Sequence, residues 1–226
     1  MIEVADICVG TRALGPGLRS VVWVQGCPFD CQGCVAPEWI PFGRGRPADP
    51  EELAAELLAN PSVTGLTFSG GEPMRQADGL ARLITAARRQ RDLTLICFTG
   101  YRLAELRRRP PGPAVADLLA RADVLIDGRY VAARNDGVGL RGSANQRVHF
   151  LTERLRPWEA ELTGGPRRAE IRLRSRSALL VGVPGPGVAE AFDRVTLPPG
   201  VPEQRPGGEA PAAGRAPAAG PPIGMD

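Results

Sequence analysis

Val21-Val22-Trp23-Val24-Gln25-Gly26-Cys27-Pro28-Phe29-Asp30-Cys31-Gln32-Gly33-Cys34 joins an apolar, β-prone run to a loop that carries three of the chain's five cysteines. Their spacing is C-x3-C-x2-C. Three thiolates on one tight loop can hold an iron–sulfur cube by three of its four irons, since such clusters take thiolate ligands. The fourth iron then has no protein ligand and is open to a small molecule. Two blander readings compete: a structural zinc site, and unrelated core cysteines. A structural zinc wants four ligands, and the candidates for the fourth are Cys8, Cys97 and His149. Cys8 and Cys97 sit in apolar strand runs, where a free cysteine behaves as a small hydrophobe. His149, the one histidine, lies in Val148-His149-Phe150 and reads as structural.

The strand that stops at a glycine recurs along the chain. Val24-Gln25-Gly26, Phe68-Ser69-Gly70, Phe98-Thr99-Gly100 and Ile126-Asp127-Gly128 share it, the last three glycines lying 30 and 28 residues apart. That interval is one strand–helix unit. Strands are expected at residues 2–9, 20–25, 64–69, 93–99, 124–127 and 146–151. A helix should start with Asp49 as N-cap, Pro50 in its first position and Glu52 as the reciprocal partner, ahead of Leu53, Leu57 and Leu58. Residues 76–90 place Leu80, Leu83, Ile84 and Ala87 on one helical face. Helical pieces at 103–108 and 113–122 are broken by Pro110-Pro111-Gly112, and residues 37–47 read as irregular.

Alternating strands and helices imply a parallel sheet, so the expected fold is α/β: a partial (β/α) barrel of about five to six mostly parallel strands with a C-terminal appendage. Ligands of such sheets sit at the C-terminal ends of the strands. The cysteine loop, the turn Ser69-Gly70-Gly71-Glu72-Pro73, Thr99 with Tyr101, and Asp127 all fall there. Gly70 and Gly71 would let backbone approach a ligand closely. Each of these residues also has a plain reading as a strand end or turn.

The bulk numbers narrow the class. All 28 basic residues are Arg, which excludes lysine Schiff-base chemistry on this chain. A net charge of +3 gives no strong pull toward nucleic acid. The first residues lack a signal-peptide pattern, and no apolar run reaches the ~18 residues needed to span a bilayer. Clustered cysteines argue against a secreted disulfide framework. The expectation is a cytoplasmic protein that works without nucleic acid or membrane.

With the C-x3-C-x2-C loop and the Gly-Gly-Glu-Pro turn in place, the chain resembles the radical S-adenosylmethionine (SAM) enzymes. Within them it is most similar to the activating enzymes of anaerobic ribonucleotide reductase and pyruvate formate-lyase. The likeness covers roughly residues 1–151 and rests on Trp23-Val24-Gln25-Gly26-Cys27-Pro28, Cys31-Gln32-Gly33-Cys34, Asp127-Gly128-Arg129-Tyr130 and Arg141-Gly142-Ser143-Ala144-Asn145-Gln146-Arg147. The resemblance implies a [4Fe-4S] cluster on Cys27, Cys31 and Cys34, with SAM chelating the open iron through its amino and carboxylate groups. It implies cofactor contacts from Gly33, Ser69, Gly70, Gly71, Glu72, Thr99, Tyr101 and Asp127. Asn145 and Arg147 belong either to that site or to a solvated turn. Gly33 stands where many radical SAM enzymes carry an aromatic, so adenine packing falls to backbone, Val35 or Tyr101.

The implied reaction is reductive cleavage of SAM to a 5′-deoxyadenosyl radical that installs a glycyl radical on a partner enzyme. The implied partners are that protein and an electron donor such as flavodoxin or ferredoxin. Radical modification of a peptide or natural product remains a second reading, and a non-enzymatic iron–sulfur or zinc binding protein a third. The expected organisation is a radical SAM core at 1–151, a small appendage at 152–197, and a Pro/Gly/Ala-rich disordered tail at 198–226. One or two strands are expected within 167–183.

Overall fold

A computed structural model of the protein describes residues 1–175 and 177–196; the tail expected at 198–226 lies outside them. Seven strands form one sheet in the order β3-β1-β2-β4-β5-β6-β7. They are β1 (Ile2–Thr11), β2 (Arg19–Val24), β3 (Arg46–Ala48), β4 (Gly65–Gly70), β5 (Thr94–Thr99), β6 (Val124–Asp127) and β7 (Arg147–Phe150). The central pairs β2–β4, β4–β5 and β5–β6 are parallel. The flanking pairs β1–β2, β1–β3 and β6–β7 are antiparallel.

The sheet is α/β in setting and parallel through its centre, as expected, but it has seven strands where about five to six were expected, and its flanks are antiparallel. The physical reasons are local. Residues 12–18 join β1 to β2 without a helix, and a short link permits only an antiparallel pair. β3 arises inside the stretch that reads as irregular, because Ile2, Glu3 and Val4 pair with Ala48, Pro47 and Arg46. Among the described residues the strand order ends at β3 and β7 and does not close on itself.

Helices α1 (Pro50–Leu57), α2 (Ala77–Gln90), α3 (Leu103–Arg108) and α4 (Val115–Arg121) lie between the strands. Asp49 caps α1 by accepting from the amides of Glu51 at 2.9 Å and Glu52 at 3.2 Å. No return bond from the Glu52 side chain is present among the described residues. Leu80, Leu83, Ile84 and Ala87 of α2 are all buried, as their 3.6-residue period requires.

The period of two along the strands splits the core. Val22, Val24, Leu66, Phe68, Leu95 and Cys97 pack against the helices on one face. Val21, Trp23, Ile96, Val124 and Ile126 face the other side, which is covered by Ala13 and Leu14 and by Leu155, Leu162 and Val181 from beyond the expected core. Those last residues come from a 3₁₀ turn, helix α5 (Glu159–Gly164) and strand β9 (Ala178–Gly182). β9 pairs with β8 (Ala169–Leu173) as an antiparallel hairpin, and helix α6 (Val188–Thr196) follows. No helix among the described residues is long and apolar enough to cross a membrane.

Candidate cluster and cofactor site

The C-terminal ends of the parallel strands surround a cavity of about 620 Å³, in the size range of small-molecule sites. Cys27, Cys31 and Cys34 line one side of it, and Ser69, Gly70, Gly71 and Glu72 line another. Thr99 and Gly100 at the end of β5, and Gly128 to Tyr130 after β6, complete the polar part of the wall. The sequence separates these groups by a hundred residues; the parallel ladder brings their ends together.

The cysteine loop is closed at its base by Gly26 N–H donating to Trp39 O and Cys27 N–H to Ile40 O, each at 2.9 Å. Inside it, Cys34 N–H donates to Cys31 O at 3.0 Å. Gly33 supplies the left-handed residue of that turn (φ 75°), and a Cβ there would come 2.8 Å from the Ala132 Cβ. Gly33 itself is exposed and does not line the cavity. Its smallness serves the turn and the passage of residue 132.

The donor set fits a cluster. All three thiols are free and half-buried, whereas Cys8 and Cys97 are buried in the two core clusters. Burial pushes the Cys27 thiol up to about 11 and also raises Cys31 and Cys34. Against this, the backbone at Phe29, Tyr130 and Ala36 pulls the three thiols back down and favours the thiolates. Metal binding would complete that deprotonation and release the protons. Among the described residues no three Cys, His, Asp or Glu side chains converge on a single-ion geometry. A cube asks for a wider arrangement, since each thiolate binds a different iron.

Gly70 and Gly71 are required first by the protein. A Cβ on Gly70 (φ 100°) would lie 2.5 Å from Val24 N, and one on Gly71 would lie 2.3 Å from Gly26 O. That closeness lets Gly71 N–H donate to Val24 O at 2.7 Å and Glu72 N–H to Gly26 O at 2.9 Å. The turn is thereby locked to the stem of the cysteine loop.

Glu72 is fully buried. Its Oε1 accepts from Met74 N–H at 2.9 Å and from Thr99 Oγ1 at 2.8 Å, and its Oε2 accepts from Gly100 N–H at 2.7 Å. It thus staples the end of β4 to the end of β5. A carboxylate has about four acceptor positions, so one on Oε2 remains.

Thr99 is committed to that staple: its hydroxyl donates to Glu72 and accepts from Tyr101 N–H at 3.2 Å. Tyr101 does not line the cavity. It packs edge-on against Phe29 with ring centroids 4.8 Å apart. Phe29 does line the cavity, and the Arg129 guanidinium sits 4.5 Å above its ring. A Cβ on Gly100 would strike Phe29 at 2.5 Å.

Asp127 also lies off the cavity wall. Its Oδ2 accepts from Leu103 N–H at 2.7 Å, and Arg102 donates to Oδ1 at 3.2 Å. His149 Nε2 is 2.9 Å from Oδ2, consistent with a structural histidine. Asp127 therefore fixes the start of α3, a carboxylate where helix amides need acceptors. Of the motif at 141–147, Gln146 reaches the cavity, while Asn145 and Arg147 do not. Gln146 fastens the loop by donating to Gly128 O at 2.6 Å and accepting from Gly142 N–H at 2.7 Å. Asn145 donates to Arg129 O at 2.8 Å, and Arg147 is exposed.

Two residues that sequence reasoning passed over are thus prominent: Phe29 and Gln146. An aromatic inside C-x3-C was the available signal for the first. For Gln146 the flanking motif was visible but not which of its side chains turns inward.

A family model for a 4Fe-4S single cluster domain matches residues 13–149. The anaerobic ribonucleoside-triphosphate reductase-activating protein of Vibrio cholerae is 33% identical over 148 residues, covering 61% of this chain and 91% of that protein. The protein of the same name from Escherichia coli is 30% identical over 148 residues, with the same coverage of 61% and 91%. The pyruvate formate-lyase-activating enzyme of Clostridium pasteurianum is 36% identical over 92 residues, covering 38% of this chain and 39% of that enzyme. With three free thiols on one cavity wall and a match across more than half its length, the chain belongs to the 4Fe-4S single cluster domain family, in the group of the radical SAM activating proteins.

Proposed function

We propose that this protein is an activase that installs a glycyl radical on a partner enzyme. The observation that carries this reading is the meeting of Cys27, Cys31 and Cys34 with the Gly70-Gly71-Glu72 turn around one cavity, in a chain similar to the reductase-activating proteins. When bound, the cluster supplies the electron that splits SAM into methionine and a 5′-deoxyadenosyl radical, which takes a hydrogen atom from the partner's glycine. The three cysteines hold the cluster.

Ser69, Gly70 and Gly71 offer backbone to the methionine part of SAM, and the free acceptor position on Glu72 Oε2 takes its ammonium. Thr99 holds Glu72 in place for this contact. Phe29 offers the adenine an apolar surface that Tyr101 supports from behind. Gly33 and Asp127 act on the cofactor through the loop and helix they set. The chemistry belongs to residues 1–151, on a sheet curved as a partial (β/α) barrel, and residues 152–196 are added onto its open face. A flavodoxin or ferredoxin delivers the electron, and the site of action is the cytoplasm, where free thiolates persist.

Anaerobic reconstitution tests this. Four irons and four sulfides per chain are expected, with 5′-deoxyadenosine formed from SAM and dithionite. A cluster-loaded protein that makes none would overturn the reading. An electron paramagnetic resonance signal of a glycyl radical on the partner separates activation from modification of a peptide.

A further inference from the structure

The cavity has two kinds of wall. The cysteine loop, the Gly70–Glu72 turn and residues 128–130 present sulfur, backbone and carboxylate. Trp23, Trp39, Phe98, Leu179, Val183 and Phe192 present apolar surface, and all of these but Phe192 belong to or pack against one hydrophobic cluster. Leu179, Val183 and Phe192 come from β9, the turn after it and α6, all beyond residue 149, where the family match stops. The Vibrio cholerae relative, matched over 91% of its length by 61% of this chain, is too short to carry the whole of this segment.

The segment is anchored. Arg167, whose side chain is 6% exposed, donates to Pro184 O at 2.9 Å just past β9. The same guanidinium donates to Asn135 Oδ1 at 2.6 Å and to Gly142 O at 3.2 Å, in the loop that follows Tyr130. Val181 is buried in the same cluster as Trp23. Helix α6 is held differently: it buries none of its residues fully and turns Ala189, Phe192 and Asp193 onto the cavity, the i, i+3, i+4 face. Two carboxylates close enough to act on each other, Glu38 and Asp193, also line the cavity.

We infer that β9 and α6 are the substrate-side wall of the radical cavity, with Leu179, Val183 and Phe192 as positioning residues that hold the hydrogen donor against the cofactor and keep solvent out. This rests on the activase reading above. A site that makes a carbon radical needs water and stray donors excluded. In this chain the apolar surface that does so is supplied in part by its own C-terminal segment.

The test uses the full reconstituted chain with Phe192→Ala and with Leu179→Ala. Val195→Ala, at a position of α6 that is 84% exposed, is the control. The readouts are the rate of iron loss to a ferrous chelator, SAM affinity from the change in the cluster's spectrum, and 5′-deoxyadenosine made without partner. Both wall variants should lose iron several-fold faster and turn over SAM unproductively several-fold faster, at unchanged SAM affinity. Phe192→Leu should restore the slow rates, and the control should match the parent. Iron loss at the parent's rate in both variants would overturn the inference. So would a fall in SAM affinity in step with iron loss, since the segment would then be holding the cofactor. If the parent chain itself takes up no iron, the activase reading fails. The wall is then read from N-ethylmaleimide alkylation of Cys27, Cys31 and Cys34 in the metal-free chain, which the same variants accelerate if it stands and leave unchanged if it does not.

Discussion

Glu72 and Arg19 stand at opposite ends of the same parallel strands, and each buries a charge among neutral groups. Arg19 opens β2. Its Nε donates to Thr67 Oγ1 at 2.8 Å, and the other four N–H groups reach Thr94 Oγ1, Pro16 O, Leu66 O and Thr94 O. All five guanidinium donors are thereby used. Gly65 makes room for it, since a Cβ there would lie 2.4 Å from the guanidinium. Glu72, at the other end, takes three donors and keeps one acceptor position. Both ends bury a charge, but one is saturated and shut while the other keeps unused hydrogen-bonding capacity beside a cavity. In sheets of this kind the N-terminal end carries stability and the C-terminal end carries chemistry, and the difference here is one of satisfied against spare valence.

The largest effect that sharpens this contrast is at the cysteines. Cys27→Ala, Cys31→Ala and Cys34→Ala should each abolish cluster retention, read as iron and sulfide per chain. The far-ultraviolet circular dichroism should stay that of the parent, because none of the three belongs to a core cluster. Loss of folded structure would mean that the open end also carries stability.

Arg19→Ala tests the closed end. It leaves two hydroxyls and three carbonyl contacts without their donor and opens a cavity. The cost should be about 3 kcal/mol or more, seen as a lower urea midpoint. Protein still folded should take up the cluster normally, which is what separates this end from the other.

Glu72 gives a smaller, pH-dependent effect. Burial pushes its carboxyl up to about 7 against the pull of its three donors, whereas in the unfolded chain it titrates near ~4.3. Between those values the folded chain holds more protons than the unfolded one. This group therefore makes stability fall as pH rises through that window. Glu72→Gln removes the slope, so urea midpoints at pH 5 and pH 7.5 should lie closer together in the variant than in the parent. Equal spacing would show that the carboxyl is not desolvated as its position requires.

The same contrast explains what the sequence could tell. Four runs ending in Gly26, Gly70, Gly100 and Gly128 were readable because chain reversal at a strand end leaves a local signature, and three of these glycines do adopt positive φ. Cys27, Cys31 and Cys34 were readable because their ligand spacing is local too. Which side of a strand end faces the cavity is set by packing across the sheet, and no local pattern reports it. Asp127 and Tyr101 sit at the right strand ends, yet one turns to the start of α3 and the other to the back of Phe29. β3 escaped notice because three residues carrying Pro47 have no strand signature; only their partners on β1 make them a strand.

The hairpin of β8 and β9 shows the limit of patterning most directly. Alternation at Ile171 and Leu173 marks β8 as a strand, and the usual inference would turn those residues inward. Instead Leu173 is 83% exposed, and β8 meets β1 through its polar residues. Glu170 accepts from Arg12 N–H at 2.8 Å, Arg172 donates to Gly10 O at 2.6 Å, and Arg174 grips both carboxylate oxygens of Asp6 at 2.9 and 2.8 Å. Arg174→Ala should therefore cost up to about 1 kcal/mol, the upper range for an exposed but bidentate pair, and a cycle with Asp6→Ala should recover most of it as coupling. Leu173→Thr should change stability by less than ~0.5 kcal/mol, as at any exposed site. If Leu173 proved the costlier of the two, β8 would be docking by its apolar face, and the polar contacts to β1 would be incidental to how the added segment is held.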